Sequence, residues 1–179
     1  MENRDNANNP EHEEEQPSLM KRILLFVIGL FILFLFLSYF LLGPYTLNII
    51  GSMLLSSELE GYSVEGDGFN IVFTEAAYTA LKQTYLDNQD REFKACLKGN
   101  ISGDTYIITD ILLPDQRGSY SQVVYTQCPS DTIVSMHSHP YRHCRASERD
   151  FESFEKFRQA NPDAVMMVMC EAERFYVYR

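Results

Sequence analysis

The chain has 179 residues and a formal net charge of −10, and its hydrophobic residues, 45% of the total, are unevenly distributed. No basic stretch carries interleaved aromatic residues, which argues against nucleic-acid binding. Four cysteines are too few to demand a disulfide framework, so one hydrophobic core is expected to hold the folded part together.

Residues 1–20 form a polar, acidic segment. They contain six acidic residues and one arginine, and therefore half of the net charge. A segment of this composition cannot bury enough apolar surface to fold, so we expect a disordered acidic tail.

A single transmembrane helix is predicted over residues 21–43. Its apolar run begins at Ile23, ends at Leu42 and contains no charged residue. At about 1.5 Å per residue, a helix of this length crosses the roughly 30 Å hydrocarbon core of a bilayer. A cleaved signal peptide is the alternative, but its apolar region would be shorter, about 7–15 residues.

The basic residues beside this run predict its orientation. Lys21 and Arg22 precede it, and the next basic residue is Lys82. The positive-inside rule therefore places the N-terminus in the cytoplasm and the C-terminal domain outside.

Residues 44–68 are predicted to be a juxtamembrane linker. Apolar residues recur at helical spacing in its first part: Leu47, Ile50, Met53 and Leu54. This spacing fits a short interfacial helix or a continuation of the membrane helix. The turn residues from Glu65 to Gly68 mark the predicted domain boundary.

Residues 69–179 are predicted to form an α+β (mixed α/β) domain with a central mixed β-sheet flanked by helices. Helices are expected from Thr74 to Leu86 and from Ser147 to Ala160, because each has a capping residue and an apolar stripe. Residues 116–121 are polar and are expected to form a loop. Apolar or alternating runs predict strands at 70–73, 91–98, 105–113, 122–126, 132–136, 164–169 and 174–178.

Three of the four histidines lie at or just beyond the end of one predicted strand, at positions 137, 139 and 143. On a strand, residues two apart point to the same face, so His137 and His139 project together. Two imidazoles on one face can share one zinc ion at roughly 2.0–2.1 Å each. Asp150 lies one turn into the following helix, on the face that looks back toward them, and can supply a third ligand.

Each of these features also has an ordinary explanation. Ser147 and Asp150 form a normal helix start, with a serine cap and an acid in the first turn. A His-x-His pair is often only a polar strand face. Together they favour a metal site, and capping and ligation are compatible roles.

The pattern His-x-His, seven residues, then Ser-x-x-Asp resembles the signature of the JAB/MPN zinc metallopeptidases, also called JAMM proteases. That family has an upstream glutamate at the start of a strand after its first long helix, and Glu92 in the segment 90–99 matches this position. The resemblance runs from about Phe69 to the C-terminus. It implies a minimal, prokaryotic-type JAB/MPN-like domain that hydrolyses peptide or isopeptide bonds, often those of a ubiquitin-like modifier.

The resemblance also implies a role for each matched residue. Glu92 would take a proton from the attacking water and deliver it to the leaving amine. The Ser147 hydroxyl would donate to the developing oxyanion. The zinc ligands would be His137, His139 and Asp150.

Other assignments remain open. Beside Arg91, Glu92 could be only a solvated ion-pair partner, and Glu75 is a competing glutamate at a helix start. His143 and Cys144 are alternative zinc ligands in the loop. Disulfides between Cys96, Cys128, Cys144 and Cys170 are allowed if the domain is extracytoplasmic and are not expected in the cytoplasm.

Two other functions fit the same fold. One is a membrane-anchored binding module without turnover, and the other is a non-peptide amide hydrolase that uses the same site. The absence of His-Glu-x-x-His excludes the commoner zinc-protease helix. Segments that grip ubiquitin in larger family members are short or missing, which leaves the substrate open. Known family enzymes mostly act inside cells, against the orientation that the flanking charges predict.

Overall fold

The computed structural model describes residues 18–41 and 44–179, without the side chains of Pro44 and Tyr45. Most of the predicted acidic tail, residues 1–17, lies outside the described residues. The chain divides into two compact units between residues 43 and 44.

The first unit contains one helix, α1 (Leu19–Leu41), in which no side chain is buried. It is the one helix in the described ranges that is long and apolar enough to cross a membrane. A helix of membrane-spanning length is therefore confirmed. By length and composition alone, a signal sequence would pass the same test.

The second unit begins with α2 (Pro44–Leu55) and is built around a mixed sheet of eight strands. The strands of this sheet are β1 (Ser57–Glu58), β2 (Ser63–Gly66), β3 (Phe69–Phe73), β4 (Lys94–Ser102), β5 (Thr105–Leu112), β8 (Thr132–Ser138), β9 (Val165–Glu171) and β10 (Arg174–Tyr178). Two helices, α3 (Glu75–Asp87) and α4 (Glu148–Arg158), accompany the sheet, which confirms the predicted α+β class. The strands lie in the order β1-β10-β9-β8-β4-β5-β3-β2, and the pairs β3–β5 and β8–β9 are parallel.

A separate two-stranded hairpin, β6 (Gln116–Gly118) with β7 (Val123–Tyr125), lies outside this sheet. The first of its strands falls in the segment predicted to be a polar loop. Gln116 and Arg117 give no apolar alternation, so only the backbone pairing with β7 identifies the strand.

The segment predicted as a linker differs from the prediction, because the sheet begins at Ser57 rather than Phe69. Strand β1 pairs with β10, and β2 pairs with β3. The residues taken for a domain boundary are a hairpin turn: Gly66 pairs with Phe69, and Asp67-Gly68 connect them. Gly68 has φ 76°, a left-handed conformation that glycine adopts without strain at the second central position of the turn. Val64 is fully buried in the core, so these strands are part of the folded unit.

The two faces of the sheet carry different clusters of buried residues. The larger cluster includes Leu81 and Tyr85 of α3 with Leu97 of β4. The smaller one includes Phe154 and Phe157 of α4 with Cys96 of β4. Because side chains alternate along a strand, Lys94 of β4 lies on the same face of the sheet as Cys96. Side chains of the neighbouring strand β8 also lie on this face.

Candidate metal centre

The end of β8 carries the two predicted histidine ligands. This strand lies inside the sheet, between β4 and β9. Just past its last residue, the His139 amide donates to the Met169 carbonyl at 2.9 Å, so the backbone is held on the β9 side. His137 and His139 are both buried, and their ring centroids lie 4.9 Å apart. The two histidines therefore lie on one face, as predicted.

The start of α4 supplies the carboxylate. Ser147 is the N-cap: its hydroxyl accepts from the Asp150 amide, and the Ser147 amide donates to Asp150 Oδ2 at 2.7 Å, which completes a capping box. The Ser147 hydroxyl also donates to Oδ2 at 2.7 Å. The same Oδ2 lies 3.4 Å from His137 Nε2. The carboxylate that caps the helix is thus also placed where it could bind a metal, and the sequence allowed both roles.

The donor atoms of His137, His139 and Asp150 lie within 4.8 Å of one another, and they suit a metal ion. His137 Nε2 is buried and has no hydrogen-bond partner in the described part of the chain. His139 Nδ1 contacts the His143 carbonyl, which can only accept, so the proton is on Nδ1 and Nε2 keeps its lone pair. Buried polar atoms normally make a hydrogen bond, so a buried Nε2 that makes none with the described residues points to a missing ligand.

The protonation states also suit a metal. Burial, with a contribution from His137, lowers the pKa of His139 to about 4, which keeps its imidazole neutral at physiological pH. Burial acts against ionisation of Asp150, but its contacts with His137 and Ser147 outweigh burial and hold its pKa well below the usual value. A neutral imidazole and an ionised carboxylate are the forms of these side chains that bind zinc.

Glu92 lies beside the three donors, at the entrance to β4. Its side chain is buried, and its Oε1 lies 3.8 Å from His139 Nε2 and accepts from the Tyr141 hydroxyl at 3.1 Å. Its amide donates to the Ser119 carbonyl at 2.7 Å. Gly118 lets the β6–β7 hairpin approach this closely, because a Cβ there would stand 2.1 Å from the Glu92 carbonyl oxygen. Burial raises the pKa of Glu92 to about 7; the hydrogen bond from Tyr141 opposes the shift.

All five predicted site residues line one cavity of about 340 Å³. It is bounded by the sheet, the start of α4 and β7 of the hairpin. The residues are Glu92, His137, His139, Ser147 and Asp150.

The alternative ligands do not join this group. Cys144 is bonded to Cys170, so its sulfur is not available as a thiolate ligand. His143 contributes its backbone carbonyl, and its ring is not among the clustered donors of the described residues. The second disulfide joins Cys96 to Cys128, so all four cysteines are paired.

Sequence reasoning missed Tyr141, whose ring stacks on His139 with centroids 5.2 Å apart while its hydroxyl contacts Glu92. Its position two residues past His139 was the available signal. Glu75, the competing glutamate, is exposed in the first turn of α3 and does not line this cavity.

No family model matches the chain, and no curated protein matches it. Solved structures do match, and one of them is a crystal structure of a JAB1/MPN domain protein from Archaeoglobus fulgidus. The two are 16% identical, the match covers 60% of this chain and 87% of that chain, and the TM-score is 0.43. A likeness at this level does not establish the family.

Proposed function

We propose that this chain is a membrane-anchored zinc hydrolase of the JAB/MPN (JAMM) type that cleaves peptide or isopeptide bonds. The observation that carries the proposal is the buried His137 Nε2, which makes no hydrogen bond within the described residues and lies beside the donor atoms of His139 and Asp150. The order and spacing of these residues, with Ser147 and Glu92, resemble the JAMM signature and support the choice of reaction.

Three side chains would hold the zinc ion: His137, His139 and Asp150. Three protein ligands leave one tetrahedral position open, which is the arrangement of catalytic rather than structural zinc sites. When bound, zinc lowers the pKa of water and polarises a substrate carbonyl.

The remaining side chains would move protons and stabilise charge. Glu92 would accept a proton from the attacking water and donate it to the leaving amine, with Tyr141 orienting its carboxylate. The Ser147 hydroxyl now donates to Asp150, and it would have to turn toward the substrate oxygen to stabilise an oxyanion. The substrate class is a protein or peptide, and a conjugate of a ubiquitin-like modifier is the candidate that the resemblance supplies.

The full chain, purified in detergent, should bind one zinc ion and cleave linear or isopeptide-linked peptides. Metal analysis gives the stoichiometry, and mass spectrometry of a substrate panel gives the cleaved bonds. Chelation should abolish cleavage, and added zinc should restore it. A chain without stoichiometric zinc contradicts the proposal and favours a binding module. A zinc-loaded chain that cleaves only non-peptide amides contradicts the assigned substrate class.

We also propose that α1 anchors the chain and that the sheet-containing unit lies outside the cytoplasm. Lys21 and Arg22 at the start of α1 support this orientation, and so do two disulfides, which persist mainly in oxidising compartments. The chain should resist carbonate extraction from membranes, and protease added to intact cells should digest the C-terminal unit. An uncleaved chain in the soluble fraction contradicts the anchor, and a C-terminal unit protected from the protease contradicts the orientation.

A further inference from the structure

A buried lysine lies beside the metal centre, and the proposed hydrolysis does not use it. Lys94 is only 5% exposed. It is directly opposite His137 in the antiparallel pairing of β4 with β8, and directly opposite residues point to the same face. Its Nζ donates to Ser135 Oγ at 2.7 Å and lies 4.8 Å from the centre of the Tyr125 ring. A cationic group therefore lines the wall of the cavity next to a proposed zinc ligand.

This cation has no carboxylate partner among the described residues. No ion pair to Lys94 is formed within the described ranges 18–41 and 44–179, while Asp150 contacts Ser147 and His137, and Glu92 contacts Tyr141. An ammonium has three donors, of which Ser135 takes one. Burial lowers the pKa of Lys94 to about 8, and the Asp150 carboxylate opposes the shift. A buried charge without a partner is costly, which makes an incoming anion the natural complement.

The cavity extends past Lys94 in a form that suits an anion. A second pocket of about 190 Å³ adjoins the first and shares Lys94, Tyr125, Ser135, Ser153 and Lys156 with it. Its charged lining residues are Lys94 and Lys156, both cationic, and no acidic residue lines it among the described residues. The hydroxyls of Ser135 and Ser153 add hydrogen-bond donors. The two lysines and the two hydroxyls therefore line a small cationic recess that opens from the candidate metal centre.

We propose that this recess is an acid-binding subsite, in which Lys94 pairs with a carboxylate of the substrate next to the bond that is cleaved. The position of that bond rests on the proposed function, whereas the affinity for a carboxylate does not. The carboxylate can come from an acidic side chain or from a free peptide C-terminus, since Lys94 would pair with either.

Binding to the full chain in detergent, with metal removed by chelation, tests the subsite without requiring hydrolysis. Two pairs of fluorescent peptides distinguish the two sources. The peptides of the first pair have Glu or Gln at a central position, and both have an amidated C-terminus. The peptides of the second pair share a neutral sequence and have either a free or an amidated C-terminus. At least one acidic peptide should bind about tenfold more tightly than its neutral partner. Lys94→Met should abolish that preference without weakening the neutral peptides.

The matched control is Lys98→Met, on the same strand, where the lysine is partly exposed and paired with Asp131. It should leave every affinity unchanged. Lys94→Met should melt at the same temperature as wild type or higher, because an apolar chain of similar length replaces a buried charge. Equal binding of acidic and neutral peptides to wild type overturns the subsite, and so does an acid preference that survives Lys94→Met.

The same peptides, incubated with zinc-loaded wild type, separate this inference from the proposed function. If neither these peptides nor the linear and isopeptide-linked substrate panel is cleaved but the acid preference depends on Lys94, the hydrolase proposal fails and the subsite stands. If acidic and neutral peptides are cleaved equally and bind equally, the hydrolase stands and the subsite is overturned.

Discussion

A His139→Ala chain should lose both bound zinc and hydrolysis. His139 is buried, its Nε2 faces Glu92 Oε1 at 3.8 Å, and its Nδ1 contact with the His143 carbonyl fixes the tautomer that a metal requires. Two remaining ligands do not make a catalytic zinc site. Metal analysis should fall from about one zinc per chain to a trace, and turnover should fall below detection.

Thermal unfolding gives a readout that does not depend on substrate. A ligand that binds only the folded state stabilises it, by about 2.7 kcal/mol when the ligand concentration is one hundred times its Kd. The melting temperature rises as a result. Added zinc should therefore raise the melting temperature of wild type and leave that of His139→Ala unchanged.

The matched control is His143→Ala, which removes a ring outside the donor group but keeps the backbone carbonyl that His139 contacts. This variant should bind zinc and hydrolyse substrate within a few-fold of wild type. Loss of zinc from His143→Ala, with zinc retained by His139→Ala, would show that the ligands are wrongly assigned.

The parts of the site that depend on local pattern were predictable from the sequence. The two-residue repeat of a strand is sufficient to place His137 and His139 on one face. The capping preferences of helices are sufficient to place Ser147 and Asp150 at the start of α4. Local pattern alone does not predict that the end of β8 and the start of α4 lie side by side. The resemblance to the JAMM signature supplied that expectation.

The missed features depend on tertiary contacts. Alternation along β4 places Lys94 on the same face as Cys96, but it does not show that α4 and β7 cover that face. The strands β1 and β2 are short, and their pairing partners are set by the sheet rather than by their own residues. The disulfide partners of Cys96 and Cys144 are 32 and 26 residues away along the chain, a distance over which spacing predicts nothing.

Glu92→Gln should separate catalysis from zinc binding, because Glu92 is not among the three proposed ligands. Glutamine keeps the length of the side chain and an oxygen that can accept from the Tyr141 hydroxyl, but it cannot carry a proton at neutral pH. A positioned general acid/base contributes about 10²–10⁴-fold to rate, so turnover should fall at least about a hundredfold. Zinc content and melting temperature should remain close to those of wild type.

Two further variants sharpen this result. Glu75→Gln changes the exposed glutamate at the start of α3 and should leave turnover unchanged. Ser147→Ala should lower turnover through loss of an oxyanion donor and should also lower stability by about 0.5–2 kcal/mol, because it removes the N-cap of α4. Glu92→Gln therefore differs from Ser147→Ala in leaving the melting temperature intact. A Glu92→Gln chain that turns over like wild type would contradict the proposed proton transfer, and a simultaneous loss of activity in Glu75→Gln would move that role to Glu75.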